Sequence, residues 1–150
     1  MARRRSFLTS LCVGTPIALA GCLDTIEYVV SPVDDSTFCI VRRGGTERVA
    51  VTYDQVVATG EPDYLLGRGY HIEVRLSSTG VSSLLEAYEE VGGLENPDET
   101  RAEFYAEGRS LREAGFNTDK LHEFKDGQRK FILGGLDGMS DAEAVANQVK

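Results

Sequence analysis

The chain has 150 residues, 41% of them apolar, so it can bury a real core but has room for only one modest domain. Three cysteines cannot build a disulfide framework, and no run approaches the roughly 18 apolar residues of a membrane-spanning helix. A formal net charge of −8 leaves no basic face for phosphates, so nucleic acid is not an expected partner.

The first 21 residues have the pattern of an export signal that is removed from the mature protein. Arg4 and Arg5 are followed after one residue by Phe7 and Leu8, and an apolar run over residues 11–19 comes next. This order resembles the twin-arginine export motif. The resemblance implies that the domain folds in the cytoplasm and crosses the membrane intact. The alternative is a short hydrophobic helix that stays on the protein.

The export signal ends in a sequence that predicts lipid attachment. Leu19, Ala20, Gly21 and Cys22 match the lipobox of lipoprotein precursors at all four positions. Small residues before the cut fit a narrow peptidase cleft, and the thiol of Cys22 can take a diacylglycerol-type lipid. Two acyl chains on one residue give a stable anchor. We therefore expect a mature chain held on the outer face of the cytoplasmic membrane through the lipid on Cys22.

The mature chain is strongly acidic. Because Arg3, Arg4 and Arg5 precede the cut and no acidic residue does, residues 22–150 carry 13 basic and 24 acidic side chains, a net charge of −11. Only four of the basic residues are lysines. Such a surface is typical of proteins that stay soluble in molar salt, where charge repulsion is screened within about 3 Å. A halophilic source is the prediction, and an ordinary acidic domain is the alternative.

Residues 22–35 are expected to form a short lipid-anchored tether, and residues 36–150 a single α+β domain. A β-hairpin over residues 37–53 with a Gly44-Gly45 loop comes first. Cys39, in its first strand, is expected to be a reduced core residue rather than a reactive thiol. The loop predicts one opposite-charge pair and two apolar pairs: Arg42 with Glu47, Ile40 with Val49, and Phe38 with Val51.

The middle of the chain alternates between loop, strand and helix. Glycines and a proline interrupt residues 55–69, which predicts mostly loop. Apolar and polar residues alternate strictly over residues 70–76, which predicts a strand whose apolar residues face a core and whose His71, Glu73 and Arg75 face outward. Helical spacing from Val81 to Val91 then predicts a helix that Gly92-Gly93 ends.

Two helices and a second hairpin are expected in the remainder. Asn96 would cap a helix with an inner stripe of Phe104, Gly108 and Leu111, ending at Gly115-Phe116. Asp126-Gly127 would turn a hairpin over residues 121–133, which places His122 beside Phe131 as a partly buried histidine. A capping box from Ser140 to Glu143, with Met139 as a staple, would begin the last helix. The fold class is therefore α+β, a largely antiparallel sheet with two or three helices on one face.

No combination of side chains forms a recognisable active site. His71 and Glu73 share a strand face, but two ligands are fewer than the three or four that zinc requires. There is no Gly-x-Ser-x-Gly elbow, no Ser-x-x-Lys and no phosphate loop. We therefore expect a protein that is not an enzyme, with no catalytic residue, metal, cofactor or small-molecule substrate.

Two segments resemble the first extracytoplasmic, or head, domain of SecD, which assists the Sec translocon from outside. Residues 70–80 are similar to its strand-then-helix opening, and residues 131–133 with 141–144 are similar to its later strand and helix. The resemblance implies a ferredoxin-like arrangement with an added N-terminal hairpin, and a non-enzymatic accessory module that handles polypeptide. Its expected partners are unfolded polypeptide or translocon components.

The outward row His71, Glu73 and Arg75 is the expected polypeptide-binding face, since it could flank an exposed sheet edge. The alternative is that this row merely faces solvent. Two other functions remain open. The C-terminal pattern is also similar to SPOR domains, which bind glycan strands, so a structural envelope lipoprotein is one of them. The other is a small uncharacterised hydrolase.

Overall fold

The computed structural model describes residues 33–149, which fold around one core. The twin-arginine motif, the lipobox with Cys22 and most of the tether lie outside the described residues. None of the helices in this part of the chain is long and apolar enough to span a membrane. The elements are, in chain order, β1 (Thr37–Arg43), β2 (Thr46–Thr52), β3 (Val56–Thr59), β4 (Asp63–Leu65), β5 (Gly69–Leu76), α1 (Ser78–Glu90), β6 (Arg101–Ala106), β7 (Arg109–Ala114), α2 (Thr118–Lys125), β8 (Lys130–Leu136) and α3 (Met139–Gln148).

The strands form two antiparallel sheets, which confirms the α+β class. Sheet 1 has the order β2-β1-β6-β7, and sheet 2 has β5 at its centre. On one side β5 pairs with β8, and on the other it pairs with β3 and β4. The Gly60 N–H donates to the Glu73 carbonyl at 2.9 Å between β3 and β4, so these two strands follow one another along the same edge.

From β5 to β8 the chain order is strand, helix, strand, strand, helix, strand, which is the order of a ferredoxin-like unit. The pairing differs from the one sheet that we expected, because β5 and β8 belong to sheet 2 whereas β6 and β7 extend sheet 1. The added N-terminal hairpin causes this division. The first strand of that hairpin, β1, pairs with β6, so the β6–β7 hairpin belongs to sheet 1.

The first hairpin forms around Gly44-Gly45 as predicted, with two of its three expected pairs. Arg42 lies opposite Glu47 and Ile40 opposite Val49. The third pair is wrong, because the register shifts beside Cys39 and places Val51 opposite that residue rather than opposite Phe38. Such an irregularity changes which face of the strand a side chain occupies, and here three successive residues, 38–40, are all buried.

Strand β5 and helix α1 agree with the sequence pattern. Ile72, Val74 and Leu76 are fully buried in β5. The Ser77 side chain caps α1 by accepting the Gly80 N–H at 2.9 Å. The loop expected over residues 55–69 is wrong in part, since it contains β3 and β4, which pair with β5. Pro62, which has no backbone N–H to donate, lies between these two strands.

The helix expected from Asn96 to Gly115 is wrong: this segment forms the β6–β7 hairpin. A single 3-10 turn follows Asn96, and the chain then extends. The turn between the strands uses Glu107 and Gly108, whose φ angles of 55° and 77° are typical of a type I′ turn. Phe104 and Leu111 are buried, as expected, but on strands. Pairing with β1 outweighs the helix propensity of a segment rich in Ala, Glu and Arg.

The hairpin expected around Asp126-Gly127 is also wrong, because residues 118–125 form helix α2. The Asn117 side chain caps this helix by accepting the Lys120 N–H at 2.8 Å. Gly127, with φ 104°, follows the helix end instead of turning a hairpin. His122 is consequently an exposed helix residue and not a partly buried neighbour of Phe131 in a sheet.

Helix α3 begins earlier than the expected capping box. Gly138 is its N-cap and no side chain caps it, so Ser140 already lies within the helix. The Asp141 carboxylate, largely buried in the first turn, accepts a hydrogen bond from the Arg109 guanidinium at 3.0 Å. The predicted capping box is therefore wrong, and Asp141 instead forms an ion pair with β7.

Five phenylalanines form the centre of the core. Phe38 and Phe104 come from sheet 1, Phe131 from sheet 2, Phe124 from α2 and Phe116 from the segment before α2. Ring centroids lie 5.1–6.4 Å apart, at the tilted and edge-on angles that aromatic pairs favour. These rings join the two sheets and the helix into one core.

Candidate ligand-binding cleft

A cleft of about 490 Å³ opens between the two sheets, where β7 of sheet 1 comes near β8 of sheet 2. Helix α2 and the segment that leads into it close one side of the cleft. Three rings of the aromatic core, Phe104, Phe116 and Phe131, reach its lining. The cleft therefore combines aromatic residues with polar and charged ones in a concave surface where a ligand could be buried.

Small residues keep the cleft open above these rings. Ala114 ends β7, Gly115 follows it and Gly134 lies across the cleft in β8. A Cβ on Gly115 would lie 3.0 Å from the Thr100 carbonyl oxygen, so this glycine also lets two backbone segments approach closely. The three rings, which form the aromatic floor of the cleft, are themselves only 3–9% exposed, and these neighbours cover them with almost no side chain.

The rim of the cleft is polar and comes mostly from α2. Asp119, Lys120 and Glu123 line it together with Asn117 and Arg112. The Lys120 ammonium is already paired, 3.0 Å from Glu123, and it lies 5.3 Å from the centre of the Phe124 ring. Among the described residues that line the cleft there is no serine, threonine, cysteine or histidine.

Strand β8 offers free backbone groups to the cleft. The Leu76 N–H donates to the Arg129 carbonyl at 2.8 Å, so these two residues form a hydrogen-bonded pair of the β5–β8 ladder. The ladder has no register shift between this pair and the pair Glu73–Ile132, which lies three positions further along. Hydrogen-bonded and non-hydrogen-bonded pairs alternate in an antiparallel ladder, so Glu73–Ile132 is a non-hydrogen-bonded pair. The N–H and C=O of Ile132 consequently point away from β5 and toward the cleft.

A second hollow of about 400 Å³ adjoins the cleft, and Arg112, Ile132 and Gly134 line both. Its other lining residues are Leu65, Arg68, His71 and Gly135. The side chain of Ile132 is 58% exposed and that of Leu65 is 48% exposed, so apolar surface surrounds the two arginines. The cleft and the hollow together follow β8 from Phe131 to Gly135.

The predicted binding row meets this site only at His71. Strand β5 is paired on both sides, so the row lies on the outer face of sheet 2 and not beside a free edge. Glu73 is 3.7 Å from the Lys130 ammonium, and Arg75 is exposed. His71 lines the second hollow, where its Nδ1 is buried without a hydrogen-bond partner among residues 33–149.

Sequence reasoning did not identify Arg112, Lys120 or Gly135 as site residues. Lys120 and Arg112 belong to segments whose secondary structure was predicted wrongly. Gly134-Gly135 lies inside a strand, where glycine often marks the close approach of another group. That signal was present in the sequence and could have directed attention to β8.

Cys39 is a packing residue, as predicted. It is 1% exposed in β1, and burial raises the pKa of its thiol well above the ordinary value. A thiol with a raised pKa is a poor nucleophile. Within the described chain, no group of three histidine, cysteine or acidic side chains is arranged to hold a metal ion.

A charged cluster occupies the outer face of sheet 1, away from the cleft. The Arg42 guanidinium contacts Glu103 and Glu47, and the Ser110 hydroxyl donates to Glu103. Partial burial favours the neutral acid at Glu103, but hydrogen bonds from Ser110, Arg42 and Tyr105 outweigh it and hold the pKa of that carboxyl below its usual value. This cluster ties β1 to β6 and β7 and has a structural role.

The described residues form an α+β domain with an open cleft between its two sheets. No protein-family model, curated protein or solved structure matches the chain.

Proposed function

We propose that this chain is a lipid-anchored, non-enzymatic binding module on the outer face of the cytoplasmic membrane, and that it holds extended polypeptide along β8. The proposal keeps the SecD-head-like accessory role that residues 70–80, 131–133 and 141–144 suggested. It moves the binding face from the row His71, Glu73 and Arg75 to the cleft beside that row.

The observation that carries the proposal is the unpaired backbone of Ile132 beside an aromatic floor. A sheet edge binds an extended chain through backbone hydrogen bonds, which depend little on the sequence of the bound chain. Alternate side chains of such a peptide would point into the cleft, where Phe104, Phe116 and Phe131 offer apolar contact. Both features together suit a ligand that is extended and partly apolar.

A substitution pair at Ile132 tests this proposal. Ile132→Pro removes the edge N–H, which does not take part in the β5–β8 ladder, and proline is tolerated at such edge positions. Ile132→Ala keeps the N–H and trims the exposed side chain. Losing one backbone hydrogen bond to a bound chain should weaken binding by about tenfold, whereas the alanine variant should lose about threefold or less.

The measurement is fluorescence anisotropy of a labelled, reduced and alkylated unfolded protein, titrated with the full chain in detergent micelles and molar potassium chloride. Wild type should bind, and the proline variant should bind more weakly than the alanine variant. Equal affinities for the two variants would remove β8 as the binding edge. Absence of binding by wild type up to millimolar concentration would overturn the proposal, and binding of glycan strands instead would favour the structural envelope role.

A further inference from the structure

The second hollow has the features of a subsite for a carboxylate. Among residues 33–149, Arg68 and Arg112 form no ion pair, although the chain has 24 acidic and only 16 basic residues. Both arginines line the same hollow. Two arginines without ion pairs therefore line one hollow in a chain whose net charge is −8.

The guanidinium of Arg112 lies beside Gly135. A Cβ built on Gly135 would lie 2.7 Å from Cζ, 2.9 Å from Nη1 and 3.0 Å from Nε of Arg112, so the planar group rests against the backbone of Gly135. Gly135 has a φ of +71°, which favours glycine, and the missing side chain leaves the space that the guanidinium fills. The guanidinium therefore sits where the lining of the cleft meets that of the second hollow.

The remaining lining also suits the end of an extended peptide. His71 lines the same hollow, and its buried Nδ1 has no hydrogen-bond partner within the described chain. Leu65 and Ile132 add exposed apolar surface on either side. A planar guanidinium can accept a carboxylate through two parallel hydrogen bonds, which are stronger than those between neutral groups.

We propose that Arg112, assisted by Arg68, binds a carboxylate of the polypeptide that lies along β8. This inference rests on the proposed function, because it names a chemical feature of the same ligand. The carboxylate can be the C-terminus of the peptide or the side chain of an aspartate or glutamate. In either case one end of the bound chain is fixed at Arg112, and its apolar residues reach the aromatic floor.

Matched peptides distinguish the two carboxylate sources. The probes are labelled eight-residue apolar peptides with a free C-terminus, with a C-terminal amide, and with an amide plus one internal glutamate or glutamine. Loss of a charge-assisted hydrogen bond should weaken binding by about tenfold. A free acid that binds more tightly than its amide assigns the C-terminus, and a glutamate peptide that binds more tightly than its glutamine twin assigns a side chain.

Variants connect this preference to Arg112. Arg112→Ala should abolish the preference for the carboxylate, and Arg112→Lys should keep only part of it, since lysine has the charge without the planar fork. Arg129→Ala is the matched control, because Arg129 is also exposed and unpaired in residues 33–149 but lies outside both hollows. Thermal unfolding of each variant verifies that the fold is intact.

The outcomes separate this inference from the proposed function. Ile132→Pro should weaken acid and amide peptides equally, because it removes a backbone contact that both make. Unfolded protein could bind while acid and amide peptides bind alike and Arg112→Ala changes no affinity. That result would overturn the carboxylate subsite, but the proposal that β8 binds an extended polypeptide would stand. If Arg129→Ala has the same effect as Arg112→Ala, the preference reflects overall charge, which also overturns the subsite.

Discussion

The guanidinium of Arg112 in sheet 1 rests on the backbone of Gly135 in sheet 2, and this contact lies between the cleft and the second hollow. It bridges β7 and β8, which share no backbone ladder in the described chain. The two sheets therefore meet here through an arginine side chain and a glycine.

Gly135→Ala should separate stability from binding. An alanine at φ +71° costs about 1 kcal/mol, and its methyl group would displace the guanidinium, which can move because it ends a flexible side chain. Gly44→Ala is the matched control, since Gly44 has a φ of +61° with no atom within 4 Å of a built Cβ. Both variants should lose similar stability in chemical denaturation, but only Gly135→Ala should reduce the preference for carboxylate peptides. An unchanged preference for carboxylate peptides would mean that the contact with Gly135 does not position the Arg112 guanidinium.

The Glu103 cluster predicts a pH-dependent contribution to stability. Because the folded protein lowers the pKa of Glu103, its stabilisation is complete above the ordinary carboxyl pKa and is lost as the pH falls through the lowered value. Glu103→Gln should cost about 1 kcal/mol or less at neutral pH, since the cluster is only partly buried. Denaturation at a series of pH values should show that difference shrinking in acid. Glu86→Gln, on an exposed part of α1, controls for the loss of one negative charge, and an equal effect there would contradict a specific role for the cluster.

Folding should require high salt. Twenty-four carboxylates lie in residues 22–150, and like charges even face one another across the β6–β7 ladder, where Glu103 is opposite Glu113. Salt screens this repulsion, so the unfolding temperature followed by circular dichroism should fall on dialysis from molar to millimolar potassium chloride. A neutral osmolyte at the same osmolality should not restore it. An unfolding temperature that is independent of salt would show that the acidic surface is incidental.

Cys22→Ser should release the protein from the membrane, because the predicted anchor depends on that thiol. In detergent phase partitioning the wild type should enter the detergent phase and the variant should stay in the aqueous phase or remain uncleaved. Cys12→Ser changes a thiol within the export signal and should have no effect. A Cys22→Ser protein that partitions and migrates like mature wild type would refute lipidation.

The route of export depends on the arginine pair. Arg4→Lys combined with Arg5→Lys keeps the positive charge of the signal but removes the motif, so the precursor should accumulate in the cytoplasm. Arg3→Lys, just outside the pair, should be exported normally. Cell fractionation with detection of precursor and mature sizes measures both, and full export of the double variant would exclude the twin-arginine route.

Local patterns were sufficient to predict β1, β2, β5 and α1. The Gly44-Gly45 loop brings two adjacent strands together, and the alternation over residues 70–76 has no competing period. In these segments the residues that set the structure lie within a few positions of one another. The α+β class followed from them, and so did the burial of Cys39.

Tertiary contacts decided the segments from Asn96 to Lys125, and with them the cleft. Residues 101–114 are rich in helix formers, but β1 offers a partner strand, and backbone pairing with burial of Phe104 outweighs intrinsic propensity. Asp126-Gly127 can turn a hairpin or follow a helix end, because both use a glycine with positive φ.

The amino-acid sequence by itself therefore determined the export and lipid-attachment signals that we predict, the acidic character and the strongly periodic elements. Only the tertiary structure decided that β8 leaves backbone groups free and that Arg112 reaches Gly135 from another sheet. The physical reason is that these features depend on which distant strands pair. The strand pairing depends on the total burial of the aromatic core. Arg112 and Gly135 are 23 positions apart, and no local sequence pattern links them.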